Sequence, residues 1–145
     1  MTVLRSYVDR DAAKRDREMA HVLLVEDNEL NRDMLSRRLK RCGWVVSSAE
    51  DGWNAVCLAE QERPDVILMD LSLPVLSGWD ATRRIRENPE MNAIPIIALS
   101  AHAMLEDRTS ALAAGCDDFE TKPIDFDRLV TKMNALRLER FRDDH

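Results

Sequence analysis

Five short segments, three of them continuous apolar runs, punctuate the chain, and longer stretches with apolar residues three and four positions apart lie between them. His21–Glu26 (HVLLVE), Trp44–Ala49, Val66–Met69, Pro95–Ser100 and Cys116–Thr121 are the segments. They are too short for helices, and the first, third and fourth lack alternation, which predicts strands buried on both faces. Helical spacing follows each run. Leu30, Met34, Leu35, Leu39 and Cys42 form the first inward stripe, with Asn28 as its cap and Gly43 as its stop. Ala55, Val56, Leu58 and Ala59 form the second, entered from Asp51-Gly52 and ended by Pro64. The third runs from Ser77 to about Glu87 with Trp79, Ala81, Thr82 and Ile85. The fourth is Ala103–Ala114, stopped by Gly115. The fifth is capped by Asp125 and carries Leu129, Val130, Met133, Leu136 and Leu138. Strand and helix thus alternate five times. Right-handed crossovers then require a parallel sheet with helices on both faces, a three-layer doubly wound α/β fold with five strands and five helices.

Residues 1–20 fall outside this rhythm. Val3, Leu4, Tyr7 and Val8 are apolar, and Asp11/Arg15 and Lys14/Glu18 are spaced for a short ion-paired helix; a loose leader is the alternative. The reading is therefore an N-terminal extension, 1–20, followed by one domain, 21–145. At 145 residues and 45% hydrophobic the chain has material for one such core. A net charge of −6 gives no basis for nucleic-acid binding. Cys42, Cys57 and Cys116 form no C-x-x-C pair, so buried free thiols in a reducing compartment are expected. No apolar run approaches the roughly 18 residues of a membrane span, and no signal peptide is evident. A cytoplasmic protein is expected.

The chemistry gathers at strand ends. The third run ends on Asp70, and a loop held by Pro74 and Gly78 follows. An acid at the carboxyl end of a central parallel strand lies where open α/β sheets bind ligands. It can be a metal ligand, a nucleophile or a strand-end cap. Glu26-Asp27 ends the first run, Ser100 the fourth, and Lys122 follows the fifth. If strands one, three, four and five are neighbours, these groups share one pocket. Clustered carboxylates call for a hard divalent cation, and Mg²⁺ favours such oxygens while keeping several waters. A carboxylate beside a cation suits phosphoryl transfer, with a lysine and a hydroxyl for the phosphoryl oxygens. A Ser–His pair, a glycine-rich phosphate loop and zinc-type Cys/His spacing are missing from the sequence.

Four motifs in order resemble those of response-regulator receiver domains: E-D-N after the first strand, M-D-L-S-L-P-V-L-S-G after the third, A-L-S-A-H-A-M after the fourth and G-C-D-D-F-E-T-K-P-I around the fifth. The resemblance covers about residues 21–140. It implies the flavodoxin-like strand order 2-1-3-4-5, which is the family's order and not a reading of these residues. It also implies roles: Asp70 as phosphoacceptor; Asp27, Asp70 and the Ser72 carbonyl as direct Mg²⁺ ligands, with Glu26 acting through water; Lys122 and Ser100 on phosphoryl oxygens; Ser100 and Phe119 as switch residues; and a cis Lys122-Pro123 bond. Ser72 and His102 occupy variable positions beside the pocket.

The function implied is two-component signalling. A sensor histidine kinase or histidine phosphotransfer protein would deliver a phosphoryl group to Asp70, and the arginine-rich face of the first helix would help dock it. The chain would then catalyse only its own phosphorylation and dephosphorylation. Only 21 residues follow Ile124, which leaves no room for a DNA-binding output domain, so a stand-alone regulator acting on an unidentified downstream protein is expected. An aspartate-nucleophile phosphohydrolase is the rival reading, but its second acid would fall at Ser72. A degenerate receiver serving as a scaffold is another. A homodimer is expected through the fourth helix, fifth strand and fifth helix, whose charges would match across a two-fold axis, with the terminal extensions and Phe141 contributing.

Overall fold

The computed structural model describes residues 19–101 and 105–143, with side chains left aside at 105–106 and 140–143. Residues 1–18 of the leader, His102 and the side chain of Phe141 lie outside the described residues. Ten elements alternate: β1 His21–Val25, α1 Glu29–Arg41, β2 Val45–Ala49, α2 Gly52–Glu62, β3 Val66–Asp70, α3 Gly78–Glu87, β4 Ile96–Ser100, α4 Leu105–Ala114, β5 Asp118–Thr121 and α5 Phe126–Asp143. The strands are all parallel and lie in the order β2-β1-β3-β4-β5.

The continuous apolar runs have their cause in this topology. Leu23, Val25, Ile67, Met69, Ile96 and Ala98 point to one face, against Ala55 and Ala59 of α2, Ala81 and Ile85 of α3 and Ala111 of α4. Val22, Leu24, Val66, Leu68, Ile97 and Leu99 point to the other, against Leu39 of α1 and Leu129 and Met133 of α5. Both faces of the central strands are dry, so alternation disappears. The caps are local: Asn28, Asp51, Ser77 and Asp125 accept main-chain N–H groups of Asn31, Asn54, Asp80 and Arg128 at 2.9, 2.8, 3.2 and 3.1 Å. The Lys122–Pro123 bond is cis.

Several expectations need correction. Leu30, Met34 and Leu138 are 67%, 56% and 57% exposed, and Cys42 is exposed as well. Thirteen helical residues span about 20 Å, against about 17 Å for a five-residue strand. α1 covers the sheet through Leu35 and Leu39, and its first turns stand beside the loops at the strands' carboxyl ends. Cys57 is also exposed; only Cys116 is buried, and burial pushes its thiol up to about 11, which keeps it protonated. Trp53, expected as a packing residue, is exposed and lies under the Arg84 guanidinium, 4.5 Å from the ring centre. β5 begins at Asp118 instead of Cys116. The Asp117 carboxylate takes the Ile96 N–H at 2.8 Å and a guanidinium N–H of Arg86 at 2.8 Å, anchoring the turn by a side chain before the ladder starts. Four of the charges on the face expected to dimerise are paired within the chain: Arg128 forks onto the buried Glu120, and Lys132 reaches both Asp118 and Glu120.

Candidate functional site

The strand order decides the site. β1 and β3 are neighbours, so Glu26-Asp27 and Asp70 leave the sheet side by side. Asp70 lies in register with Leu99 of β4, and Ser100 with Thr121 of β5. Main-chain bonds fix each exit: Glu26 N–H to the Ala49 carbonyl at 3.1 Å, Leu71 N–H to Leu99 at 3.0 Å, Lys122 N–H to Ser100 at 2.7 Å.

One oxygen from each of Glu26, Asp27 and Asp70 lies within 4.8 Å of the others. Glu26 and Asp70 are each 4% exposed, whereas Asp27 faces solvent. Lys122 Nζ bridges the buried pair, 3.0 Å from Glu26 Oε1 and 3.0 Å from Asp70 Oδ2. The other Asp70 oxygen accepts the Ser72 N–H at 2.9 Å. Burial, then the shared hydrogen bond with Asp70, pushes the Glu26 carboxyl up to about 7; Lys122 opposes this but divides its charge between two carboxylates. Burial works against the Lys122 cation, yet its bonds to Asp70 and Glu26 outweigh it and raise its pKa.

Glu26 Oε2 is buried and has no hydrogen-bond partner among the described residues. An orphaned carboxylate oxygen, two further acids and an all-oxygen donor set fit a hard cation such as Mg²⁺. The cluster is at the carboxyl end of the sheet, where ligands bind in folds of this kind.

The β3–α3 loop is tightly held. Gly78 N–H reaches the Leu71 carbonyl at 3.2 Å, and a Cβ on Gly78 would collide with the Asp70 carbonyl oxygen and sit 2.7 Å from Leu71 Cα. Val75 has φ +67, rare for a β-branched residue, where Leu76 N–H turns back to the Pro74 carbonyl at 2.7 Å.

Asp70, Glu26, Asp27 and Lys122 therefore meet. Ser72 meets them through its N–H, and its side chain is exposed. Ser100 is buried at the end of β4, and Phe119 is buried in the core on the α2–α4 face. One contributor escaped the sequence reading. Arg32, one residue of the arginine-rich face of α1 read as a docking face, has a side chain only 16% exposed and donates to the Glu26 carbonyl at 2.9 Å. Its position one turn into the helix that follows the acidic pair was the available signal.

A family model described as the response regulator receiver domain matches residues 22–134. The protein PilH of Pseudomonas aeruginosa is 37% identical over 118 residues, 81% of this chain and 98% of that protein. Two other curated relatives, TcrX of Mycobacterium tuberculosis and RpaA of Synechocystis, are longer, and the chain spans about half their length. Among solved structures, the receiver domain of the P. aeruginosa sensor histidine kinase PA1611, with a magnesium ion in its active-site cleft, superposes with a TM-score of 0.77 at 41% identity, covering 81% of this chain and 97% of that one. The receiver domain of Saccharomyces cerevisiae Ssk1, solved with the histidine phosphotransfer protein Ypd1, gives 0.74 at 34% identity, covering 79% and 86%.

Proposed function

The chain belongs to the response regulator receiver domains of two-component signalling, and on that premise we propose that Asp70 accepts a phosphoryl group from phosphohistidine in a Mg²⁺-dependent reaction. The observation that carries this is Lys122 Nζ at 3.0 Å from both Glu26 and Asp70, inside an acidic trio with an orphaned oxygen. Asp70 attacks phosphorus as the phosphorus–nitrogen bond breaks, and the electron pair leaves with the imidazole. Ser72 N–H and Lys122 hold the two Asp70 oxygens and so aim the carboxylate. Lys122 then follows the phosphoryl oxygens as a point charge. Ser100 supplies a hydroxyl to a phosphoryl oxygen, and Phe119 is the aromatic that responds. Mg²⁺, when bound, would supply charge to offset that of the transferring group, and Asp27, Asp70 and the Ser72 carbonyl would hold it, with Glu26 as a more remote acid of the same site.

The donor in this reading is a histidine kinase or phosphotransfer protein, as the pairing of Ssk1 with Ypd1 supports. A groove of about 320 Å³ lined by Met34, Leu35, Arg38, Leu99, Pro123 and Ile124 opens beside Glu26 and Lys122 and suits an apolar contact next to the reacting group. We place the receiver at residues 21–145 with an extension before it, in the cytoplasm, signalling through protein contacts. No described helix is long and apolar enough to cross a membrane. Dimerisation through α4, β5 and α5 has exposed Leu112 and Leu138 in its favour. The test is incubation with a small phosphodonor and Mg²⁺. Wild type gains acid-labile, hydroxylamine-sensitive phosphate and Asp70→Asn gains none; label persisting on the variant refutes the assignment.

A further inference from the structure

We infer that Arg32 is a positioning residue for the metal: it holds the main chain of the β1–α1 loop so that Glu26 and Asp27 present their carboxylates together. The inference rests on the reading of those two acids as Mg²⁺ ligands and adds a residue to it. Arg32 Nη1 donates to the Glu26 carbonyl at 2.9 Å and lies 3.4 Å from the Asp27 carbonyl. Nη2 lies 3.4 Å from Glu50 Oε1, on the exposed segment after β2. The Arg32 N–H itself closes the first turn of α1 on the Asn28 carbonyl at 2.9 Å. One residue therefore ties down three successive positions, 26, 27 and 28. On its other side, Glu26 is tied through its N–H to Ala49.

The loop needs such a hold. It must keep two adjacent acids beside Asp70, a crowding of carboxyl groups that the single Lys122 cation offsets only in part. Glu26 and Asp27 are consecutive, so their side chains diverge unless the local backbone is set, and a small rotation carries one of them away. A planar guanidinium suits the task because it donates to two carbonyls and an acid at once. Groups that orient metal ligands from behind are worth about 10–100-fold in metal affinity.

A positioning role and a charge effect predict opposite signs. If Arg32 acts only as a cation near an acidic site, removing it strengthens metal binding. If it positions the loop, removing it weakens binding. The experiment titrates full-length protein with Mn²⁺, which shares the preference for oxygen ligands, and follows free Mn²⁺ by electron paramagnetic resonance. Arg32→Met is compared with Arg32→Lys and with Arg37→Met. Arg37 lies on the same helix, 71% exposed and paired with Asp33 at 3.2 Å. Arg32→Met should lose about tenfold or more, Arg32→Lys should recover part of that, and Arg37→Met should match or slightly exceed wild type. Circular dichroism at the titration temperature establishes that each variant is folded. Unchanged or tighter binding by folded Arg32→Met overturns the inference. Should that variant not fold, Arg32→Lys decides: affinity equal to wild type overturns it, because one ammonium cannot span the three acceptors. Wild type that binds no metal would refute the metal site itself, a separate outcome.

Discussion

Metal binding should depend on pH through Glu26, with a sign and size that follow from its burial. Its carboxyl lies at about 7, against an ordinary 4.5, because burial and the bond to Asp70 disfavour the charged form. At pH 6 the protonated form outnumbers the ionised form by about ten to one, and at pH 8 the ratio reverses. A cation must displace that proton, so apparent affinity should fall about tenfold, or about 1.4 kcal/mol, between pH 8 and pH 6. Lys122 does not contribute, since its partners raise its pKa further above this window. The metal-free protein should show the opposite trend. An acid raised in the folded state adds stability that is fully present below 4.5 and lost as pH rises through about 7. Thermal unfolding in chelator should therefore weaken from pH 5 to pH 8, and saturating Mg²⁺ should flatten the slope. The assay is Mn²⁺ titration at the two pH values with Glu26→Gln as control, which isolates the contribution of this carboxyl. Glu26→Gln should bind more weakly at pH 8 and lose the pH dependence. Wild-type affinity that is flat from pH 8 to 6, or a slope that survives in Glu26→Gln, refutes the argument.

Lys122→Ala removes a cation that competes for the same carboxylates, so Mg²⁺ affinity should hold or rise by about a few-fold, while phosphorylation falls on the order of 10²-fold. A loss of metal affinity would make Lys122 a scaffold for the acids, and unaltered phosphotransfer would make it a bystander. Gly78→Ala forces a methyl against the main chain at Asp70 and Leu71. It should cost about 1–3 kcal/mol and lower the melting temperature by several degrees; an unchanged melting curve would show that the loop yields freely.

The fold was legible because its determinants are local. Uninterrupted apolar runs four residues long, Asn28, Asp51 and Asp125 as caps and glycines at helix ends act within a few residues of themselves, and all stand where the pattern placed them. The candidate site was legible in identity but not in arrangement. That Glu26, Asp27, Asp70, Ser100 and Lys122 each fall at a strand end is written in the chain. That those ends meet depends on β1 lying beside β3, a long-range pairing that periodicity does not encode and that resemblance alone supplied. Other features were decided only by packing. A stripe at helical spacing does not say how much of it the sheet is long enough to cover, so Leu30 and Met34 stand exposed. A charged residue on a helix does not say whether water or a neighbouring carbonyl will receive it. Arg32 turned inward to the acidic loop, and Glu120 was drawn beneath α5 with Arg128 and Lys132. Apolar burial follows local pattern because it is non-directional, whereas a hydrogen bond needs its partner at about 3 Å in a defined direction, and only the assembled chain provides that.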